Sequence, residues 1–294
     1  MTTRAGFVAL IGEPNAGKST LLNRMVGAKV SIVTHKVQTT RARIRGVAME
    51  GEAQLVFVDT PGLHSKQPKA LNRALNHAAA TAIFDVDVAV FVIEAGRFGE
   101  EDQAVLERLR ERKGLTGLVI NKIDKLADKS RLLPQIQQLT ADFNFDFVVP
   151  VSATRNNGLE QLRDELLQRM PEGPPLYPAE QIRGYELSFS VSEIIREKLF
   201  ERLGQELPYA LTVETEQLER DGEMLRIGAV IWVERDGQKV IVIGQQGKGL
   251  KAVGTAARKE LEQLTGRKVF LKLWVRVKAG WSDNPGALRS FGIE

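Results

Sequence analysis

The stretch ALIGEPNAGKST, residues 9–20, decides the fold of the first half of this chain. An apolar run ends at Gly12, and the octapeptide GEPNAGKS that starts there has the spacing G-x-x-x-x-G-K-S before a helical pattern begins. Glycines allow backbone N–H groups to curl around phosphate oxygens, and the amino end of the next helix adds a favourable dipole. The stretch therefore predicts a strand, a phosphate-binding loop and a helix.

Short β-rich runs alternate with helical runs through the first 170 residues. The β-rich runs are apolar enough for strands that are buried on both faces, and they read FVALIG, AQLVFVDT, VDVAVFVIEA, TGLVINK and FDFVVPVS. Such alternation predicts an α/β domain in which a mostly parallel sheet has helices on both faces. Ligands of these sheets bind at the carboxyl ends of the strands. Helices are predicted at 18–26, 69–83, 100–112, 131–143 and 159–170.

A proline-rich stretch, MPEGPPLYPAEQ, interrupts the alternation, because clustered prolines continue neither a helix nor a central strand. We therefore predict a first domain at 1–170, a linker at 171–183 and a second domain at 184–294. The second domain is expected to be a small α+β unit. Its predicted elements are a helix at 192–203, strands at 209–218, 224–234, 239–243 and 268–278, and a helix at 250–264.

Composition narrows the class of protein. The 294 residues are 43% hydrophobic, enough for two packed domains, and the absence of cysteine excludes disulfides and thiolate metal sites. No apolar run approaches the ~20 residues of a membrane-spanning helix, so a cytoplasmic protein is expected; a weak peripheral contact with the inner membrane is left open. Residues 237–294 hold 11 Lys and Arg against 4 Asp and Glu, so the carboxyl end is basic.

Three segments predict how phosphates and Mg²⁺ are held. In the phosphate loop, Lys18 can neutralise β- and γ-phosphate charge, and Ser19 can supply an oxygen to Mg²⁺. The motif DTPG ends the strand QLVFVDT, so the Asp59 carboxylate can hold Mg²⁺ and the Gly62 N–H can face the γ-phosphate. The segment VQTTRAR at 37–43 supplies a threonine to the same ion and phosphate.

The motif NKID, residues 121–124, predicts which base is bound. The Asp124 carboxylate can accept hydrogen bonds from N1–H and the exocyclic amine of guanine, a pair that adenine cannot donate. Asn121 can serve guanine N7, and the Lys122 stem can lie along the ring. The tripeptide SAT ends the last strand of the domain, where the Ala153 N–H could meet guanine O6. The nucleotide is therefore predicted to be GTP rather than ATP.

The set GEPNAGKS, QTTR, DTPG, NKID and SA resembles the translation-factor-related small GTPases. Later segments resemble the bacterial Era family over nearly the whole chain: SEIIREKL, ELPY, WVERDGQK, ARKELE and LWVRVKAGW. Members of that family are GTPases with a carboxyl-terminal KH domain that bind 16S ribosomal RNA near its 3′ end and assist small (30S) subunit assembly. The resemblance implies a P-loop GTPase domain followed by a small type II KH domain, a GTP/GDP cycle and a monomeric chain.

The resemblance also implies roles for single residues. Thr40, rather than its neighbour Thr39, is the expected Mg²⁺ ligand of the first switch, beside Ser19 and Asp59. Asn15 corresponds to an asparagine that helps bind a stimulating K⁺ in related GTPases. The expected catalytic residues are Lys18, Thr40, Gly62 and Asn15. The expected GTP-binding residues are Gly12, Glu13, Pro14, Asn15, Ala16, Gly17, Lys18, Ser19, Thr20, Asp59, Thr60, Pro61, Gly62, Leu63, Asn121, Lys122, Asp124, Ser152 and Ala153.

Leu63 follows DTPG at the position where many signalling GTPases carry a glutamine that orients the attacking water. His64 comes next, and a histidine in such a loop is more often solvated than a base. Slow intrinsic hydrolysis is therefore expected.

The motif GQQG at 244–247 matches the G-x-x-G loop of KH domains, whose backbone clamps about four nucleotides of single-stranded nucleic acid. A strand, KVIVI, is expected to lead into the loop and a helix to lead out of it. KH loops of this family often carry a basic residue between the glycines, where this chain has two glutamines. More of the phosphate contact is therefore expected from Lys248, Lys251 and Arg258.

The last predicted strand alternates two kinds of side chain. Its odd-numbered positions from Val269 to Val277 are aliphatic, whereas the even-numbered ones interleave cations with aromatics. The second face suits backbone tracking with base stacking, and its alternative interpretation is a solvated basic face. The predicted RNA-binding residues are Gly244, Gln245, Gln246, Gly247, Lys248, Lys251, Arg258, Lys272, Trp274 and Arg276.

Three functions are compatible with these patterns. The leading hypothesis is a GTP-operated RNA-binding switch. The alternatives are a GTPase signalling module whose carboxyl-terminal domain binds a protein, and a nucleotide-dependent enzyme that acts on RNA. The basic GQQG segment favours RNA over protein, and the sequence after residue 181 offers no convincing catalytic cluster for chemistry on RNA.

Overall fold

The computed structural model describes residues 3–27, 44–59, 84–177, 179–203 and 210–291. Side chains are not described at 44, 45, 59, 179–186 and 289. The predicted helix at 69–83 lies outside the described residues. So do the predicted site residues Thr39, Thr40, Thr60, Pro61, Gly62, Leu63 and His64.

A central sheet organises the first domain. Among the described residues it has the spatial order β2-β3-β1-β4-β5-β6, in which only β2 and β3 pair antiparallel. The mostly parallel sheet is therefore confirmed. Its strands are β1 (Ala5–Ile11), β2 (Ile44–Glu50), β3 (Ala53–Asp59), β4 (Val88–Glu94), β5 (Leu115–Asn121) and β6 (Phe147–Pro150).

Helices cover both faces of this sheet, as predicted. Alternate residues of β1 and β4 point to opposite faces, where they join two separate hydrophobic cores. One core takes Leu21 and Leu162 from its helices, and the other takes Leu106 and Leu139. The helices are α1 (Lys18–Val26), α2 (Glu100–Arg110), α3 (Leu132–Asp142) and α4 (Leu159–Arg169).

Strand β2 was not among the predicted elements. It lies at the edge of the sheet beside β3, and its sequence IRGVAME mixes a glycine and charges with apolar residues. Residues 46–48 are buried, whereas Met49 is exposed. An edge strand needs no apolar run, so the composition criterion that found the central strands missed it.

The second domain has the order helix, strand, strand, helix, helix, strand. Strands β7 and β8 pair antiparallel and β8 and β9 pair parallel, in the spatial order β7-β8-β9. A KH domain was expected, and this α+β arrangement agrees with it. The elements are α5 (Ala179–Arg202), β7 (Leu211–Asp221), β8 (Met224–Val233), α6 (Asp236–Ile243), α7 (Lys248–Thr265), β9 (Lys268–Val277) and a short terminal helix α8 (Pro285–Ser290).

The predicted strand at 239–243 is wrong, because this segment belongs to helix α6. The Gln238 side-chain oxygen accepts hydrogen bonds from the backbone N–H groups of Glu234 and Arg235, at 2.8 and 3.0 Å, and so caps the helix. Val242 packs into the core, while Val240 and Ile241 are exposed. The β-branched residues favoured a strand, and capping with one-sided packing overrode that local preference.

Helix α5 begins at Ala179, inside the predicted linker. The clustered prolines end at residue 178, so nothing in 179–183 opposes a helix. Ile195 and Leu199 of this helix, with Leu203 directly after its end, pack against α7 and one face of the sheet. Among the described residues, no helix is long and apolar enough to cross a membrane.

Candidate nucleotide site and RNA-binding surface

The side chain of Lys18 is held over the phosphate loop by the backbone of the loop itself. Lys18, in the first turn of α1, turns back so that its Nζ donates to the backbone carbonyl oxygens of Gly12 and Glu13, both at 2.8 Å. These bonds hold the ammonium group over the loop. A cation fixed beside the backbone N–H groups at the start of a helix suits an oxyanion such as phosphate.

Close packing explains the second glycine of the motif. Gly17 has φ +97°, and a Cβ built on it would lie 2.3 Å from the Asn121 side-chain nitrogen. A side chain at position 17 would therefore separate the phosphate loop from the NKID segment. Gly17 is therefore needed both for the backbone turn and for the close packing of the phosphate loop against the NKID segment.

Asn121 joins three of the predicted nucleotide-binding segments. Its Nδ2 donates to the Ala16 carbonyl oxygen at 3.0 Å, and its Oδ1 accepts from the backbone N–H groups of Lys122 and Ala153, at 2.8 and 3.2 Å. The side chain is almost fully buried. This bracing role was not predicted, because it depends on which loops meet in space. The Ala153 N–H, expected to face guanine O6, is already engaged by Asn121.

Asp124 has the charge that guanine recognition needs. Its Oδ1 accepts a hydrogen bond from the Ser152 hydroxyl at 2.6 Å, and the Arg155 guanidinium lies 3.9 Å from its Oδ2. The Ser152 hydrogen bond is the main cause that lowers the pKa of Asp124 below its usual value, and Arg155 contributes to the same shift. The carboxylate is therefore ionised at neutral pH and can only accept hydrogen bonds.

Lys122 is positioned by an ion pair. Its ammonium group bonds to the carboxylate of Glu94, the last residue of β4. Its backbone has φ +63°, and its Cε would lie 3.8 Å from a Cβ built on Gly17. The aliphatic stem therefore lies beside the phosphate loop, where it can flank a bound ring.

Two of the three predicted Mg²⁺ ligands belong to neighbouring elements. Ser19 is the second residue of α1, directly after Lys18. Asp59 ends β3, where its Cα pairs with that of Leu10 in β1, two residues before Gly12. The ends of β1 and β3 therefore bring these residue positions to one edge of the sheet.

The GQQG loop joins α6 to α7. The backbone φ is positive at Gly244, Gln246 and Gly247, with values of +70°, +52° and +75°. Both glutamines and Lys248 are exposed. The loop therefore offers its backbone to solvent at the amino end of an 18-residue helix, where the helix dipole attracts anions.

The basic side chains of α7 continue this surface. Lys248, Lys251 and Arg258 are exposed and lie within one sector of the helix, about 15 Å from first to last. Val253, Ala257 and Leu261 occupy the opposite, buried side. A phosphate chain that leaves the GQQG loop can therefore follow the helix.

The cationic and aromatic face of β9 lies on the side of the sheet that α7 does not cover. Trp274 and Arg276 alternate with Val275, whose side chain is in the core shared with α7, so they occupy the other face of the sheet. Lys272 stacks on Trp274, with its Nζ 5.1 Å from the ring centre. Arg276 donates to Glu216 of β7 at 2.8 Å, which neutralises part of its charge.

The predicted RNA-binding residues thus form two sets on opposite sides of the second domain. The GQQG loop, Lys248, Lys251 and Arg258 lie on the helical side, whereas Lys272, Trp274 and Arg276 lie on the open face of the sheet. An RNA strand held by the loop would reach the second set only by passing around the sheet.

Comparisons with known proteins agree with the division of the chain into two domains. Residues 7–122 match the family model of the 50S ribosome-binding GTPase, and residues 206–282 match that of the KH domain. The chain is 52% identical to GTPase Era of Stenotrophomonas maltophilia (strain R551-3), over 98% of this chain and 97% of the relative. It is also 52% identical to GTPase Era of Xanthomonas oryzae pv. oryzae (strain MAFF 311018), over 99% and 97%.

Two solved structures are similar over 99% of both chains. One is a variant of Era from Aquifex aeolicus bound to GDP and AlF4⁻, with 36% sequence identity and a TM-score of 0.91. The other is Era in complex with MgGDPNP and nucleotides 1506–1542 of 16S ribosomal RNA, with 35% identity and a TM-score of 0.90.

Proposed function

This chain belongs to the Era family of GTPases, and from that premise we propose that it is a GTP-operated switch that binds 16S ribosomal RNA near its 3′ end and assists assembly of the small (30S) ribosomal subunit. The open GQQG loop carries the proposal, because it offers exposed backbone and a helix amino end beside a line of basic side chains. A family relative has been crystallised with a segment of that RNA.

GTP is held from two ends in this proposal. Lys18 and the N–H groups of the phosphate loop bind the phosphates, and Asp124 accepts the two guanine hydrogen bonds. Asn121 keeps the two segments at a fixed distance and can offer its second amide N–H to guanine N7. The remaining contacts are proposed for the other GTP-binding residues named from the sequence, including those outside the described ranges.

Mg²⁺ fits the oxygen donors of this site. Ser19 lies in the first turn of α1 and Asp59 ends β3, and Thr40 would complete the set in the GTP state. When bound, Mg²⁺ neutralises charge on the β- and γ-phosphates. We also propose that Asn15, exposed in the loop with φ +66°, contributes an oxygen to K⁺.

The proposed catalytic part of the site is small. Lys18 stabilises the charge that develops on the phosphates, while the loop around Gly62 binds the γ-phosphate. The sequence has Leu63 rather than glutamine after DTPG, so the chain itself supplies no amide to orient water there. Hydrolysis is therefore slow until a partner or K⁺ assists it, and its completion releases the loops around Thr40 and Gly62.

RNA is favoured over a protein as the partner of the second domain. The segment that contains the loop has a net charge of +7, and the exposed cations of α7 are spaced along a line. We assign the first RNA contact to that side. Lys272, Trp274 and Arg276 form a separate candidate surface for a further part of the RNA. We infer a monomeric cytoplasmic protein, with any contact to the inner membrane weak and peripheral.

Crosslinking followed by sequencing of the bound RNA tests this function. The protein, expressed in its own cells, is expected to recover the 3′ end of 16S ribosomal RNA above all other transcripts. Lys248→Glu combined with Lys251→Glu is the matched variant, and it is expected to lose that enrichment because it reverses the charge beside the loop. Recovery of no ribosomal RNA by the unaltered protein would exclude the proposed function.

A further inference from the structure

The side chain of Gln54 holds the linker against the first domain. Gln54 is the second residue of β3 and is fully buried. Its Oε1 accepts hydrogen bonds from the backbone N–H groups of Leu176 and Tyr177, at 2.8 and 3.0 Å. Its Nε2 donates to the Tyr177 carbonyl oxygen at 2.9 Å and to the Met49 sulfur at 3.4 Å. One buried amide therefore joins the linker to β3 and to the neighbouring strand β2.

The start of the linker is held by the amino-terminal segment. The Ala5 N–H donates to the Pro171 carbonyl oxygen at 3.1 Å, and the Gly173 N–H donates to the Thr3 carbonyl oxygen at 2.9 Å. The linker segment 171–177 is therefore bound to the first domain at both of its ends. Helix α5 begins two residues after this segment, so the Gln54 contact fixes the point at which the chain enters the second domain.

The β2–β3 hairpin connects the Gln54 contact with the nucleotide site. Strand β2 follows the segment VQTTRAR directly in sequence, and β3 ends at Asp59, so both strands adjoin segments that are proposed to sense the γ-phosphate. Met49 and Gln54 pair across the strands at the other end of the hairpin, next to its turn. Residues 55–58 between Gln54 and Asp59 are buried and span ~17 Å. Because close-packed interiors compress little, a displacement at one end of this strand is transmitted to the other.

We propose that Gln54 couples the nucleotide state of the first domain to the RNA affinity of the second, because it holds the linker against the β2–β3 hairpin. Gln54 is a positioning residue, since it contacts the linker rather than the nucleotide or the RNA. Coupling between distant sites is carried by rigid elements and hydrogen-bond networks of this kind. The inference rests on the proposed switch and names the side chain through which that switch acts.

The linker groups that Gln54 binds lie near the surface. Leu176 is 43% exposed, and Tyr177 is partly exposed. Water can therefore replace the hydrogen bonds of their backbone groups when Gln54 is substituted. An apolar side chain of similar length also fills the buried space, which limits the loss of stability. Such a variant is expected to fold with a linker that is no longer bound to the hairpin.

The RNA affinity in two nucleotide states tests the proposal. The Kd for an oligonucleotide from the 3′ end of 16S ribosomal RNA is measured with a non-hydrolysable GTP analogue and with GDP, at constant Mg²⁺. The unaltered protein is expected to bind RNA about tenfold or more tightly with the analogue. Gln54→Met and Gln54→Ala are each expected to reduce this ratio to about twofold or less, while their GDP affinity stays unchanged.

Gln135→Met is the matched control. Gln135 also binds a loop through both ends of its amide, since it accepts from the Gly96 N–H at 2.8 Å and donates to the Arg97 carbonyl oxygen at 3.1 Å. That loop follows β4 rather than leading to the second domain. The control variant is therefore expected to keep the ratio of the unaltered protein.

The ratio separates coupling from a merely structural role of Gln54. A structural role would lower the RNA affinity in both nucleotide states alike and leave the ratio unchanged. An unchanged ratio in both Gln54 variants would thus overturn the inference while the switch itself stands. Equal RNA affinity of the unaltered protein in the two states would instead overturn the proposed switch, and this inference with it.

Discussion

Asp124→Asn is expected to reverse the base preference from guanine to xanthine. The carboxylate accepts from guanine N1–H and the exocyclic amine, whereas an amide can donate to the oxygen that xanthine carries in place of that amine. The loss of GDP affinity is expected to be about a hundredfold or more, since sites built on paired hydrogen bonds reject mismatched partners strongly. Competition between GDP and XDP for a fluorescent nucleotide measures the change.

Asp128→Asn is the matched control for this change. Asp128 lies four residues further on and accepts hydrogen bonds from the backbone N–H and hydroxyl of Ser130, at 2.9 and 2.6 Å, outside the predicted base site. It is expected to keep its preference for GDP. If the Asp124→Asn protein folds and still prefers GDP over XDP by the original factor, Asp124 does not recognise the base.

Replacement of Gln245 and Gln246 by aspartates is expected to abolish RNA binding. Two negative charges would stand where the backbone approaches phosphates, so affinity for a single-stranded oligonucleotide is expected to fall by about a hundredfold or more. The backbone should tolerate the change, because aspartate is among the residues that accept the left-handed conformation of Gln246. Fluorescence anisotropy with an oligonucleotide from the 3′ end of 16S ribosomal RNA measures the loss.

Gln137 and Gln138 provide the control, because they are consecutive, exposed glutamines in α3 of the first domain. Their replacement by aspartates adds the same charge and is expected to leave RNA affinity unchanged. GDP affinity should stay constant in both double variants. Unaltered RNA binding by the Gln245 and Gln246 variant would mean that the loop does not contact RNA.

The phosphate loop and the NKID segment were predictable from the sequence because their chemistry is local. The spacing of Gly12, Lys18 and Ser19 fixes a strand, a loop and a helix start whatever surrounds them, and the structure has that order. The position of Asp124 shortly after the end of β5 likewise follows from its motif. The bracing by Asn121 was not predictable, since it depends on where two loops meet.

Tertiary context also decided the features that were missed. The run KVIVI looks like a strand by composition, yet capping by Gln238 and burial of one side make it part of α6. Glu13 stands in a polar loop segment of the sequence, yet the fold leaves it only 5% exposed. The alternation in β9 was predicted correctly. A pattern with a period of two residues does not tell, however, which face of the sheet is covered by α6 and α7, the helices that the GQQG loop joins.

In the proposed switch, the nucleotide state of the first domain sets the RNA affinity of the second. Its most direct test is the affinity of the purified full-length chain for the same oligonucleotide with a non-hydrolysable GTP analogue and with GDP, at constant Mg²⁺. The analogue-bound protein is expected to bind RNA about tenfold or more tightly than the GDP-bound protein, within the usual range of coupling between sites. Equal affinity in the two states would contradict a GTP-operated switch.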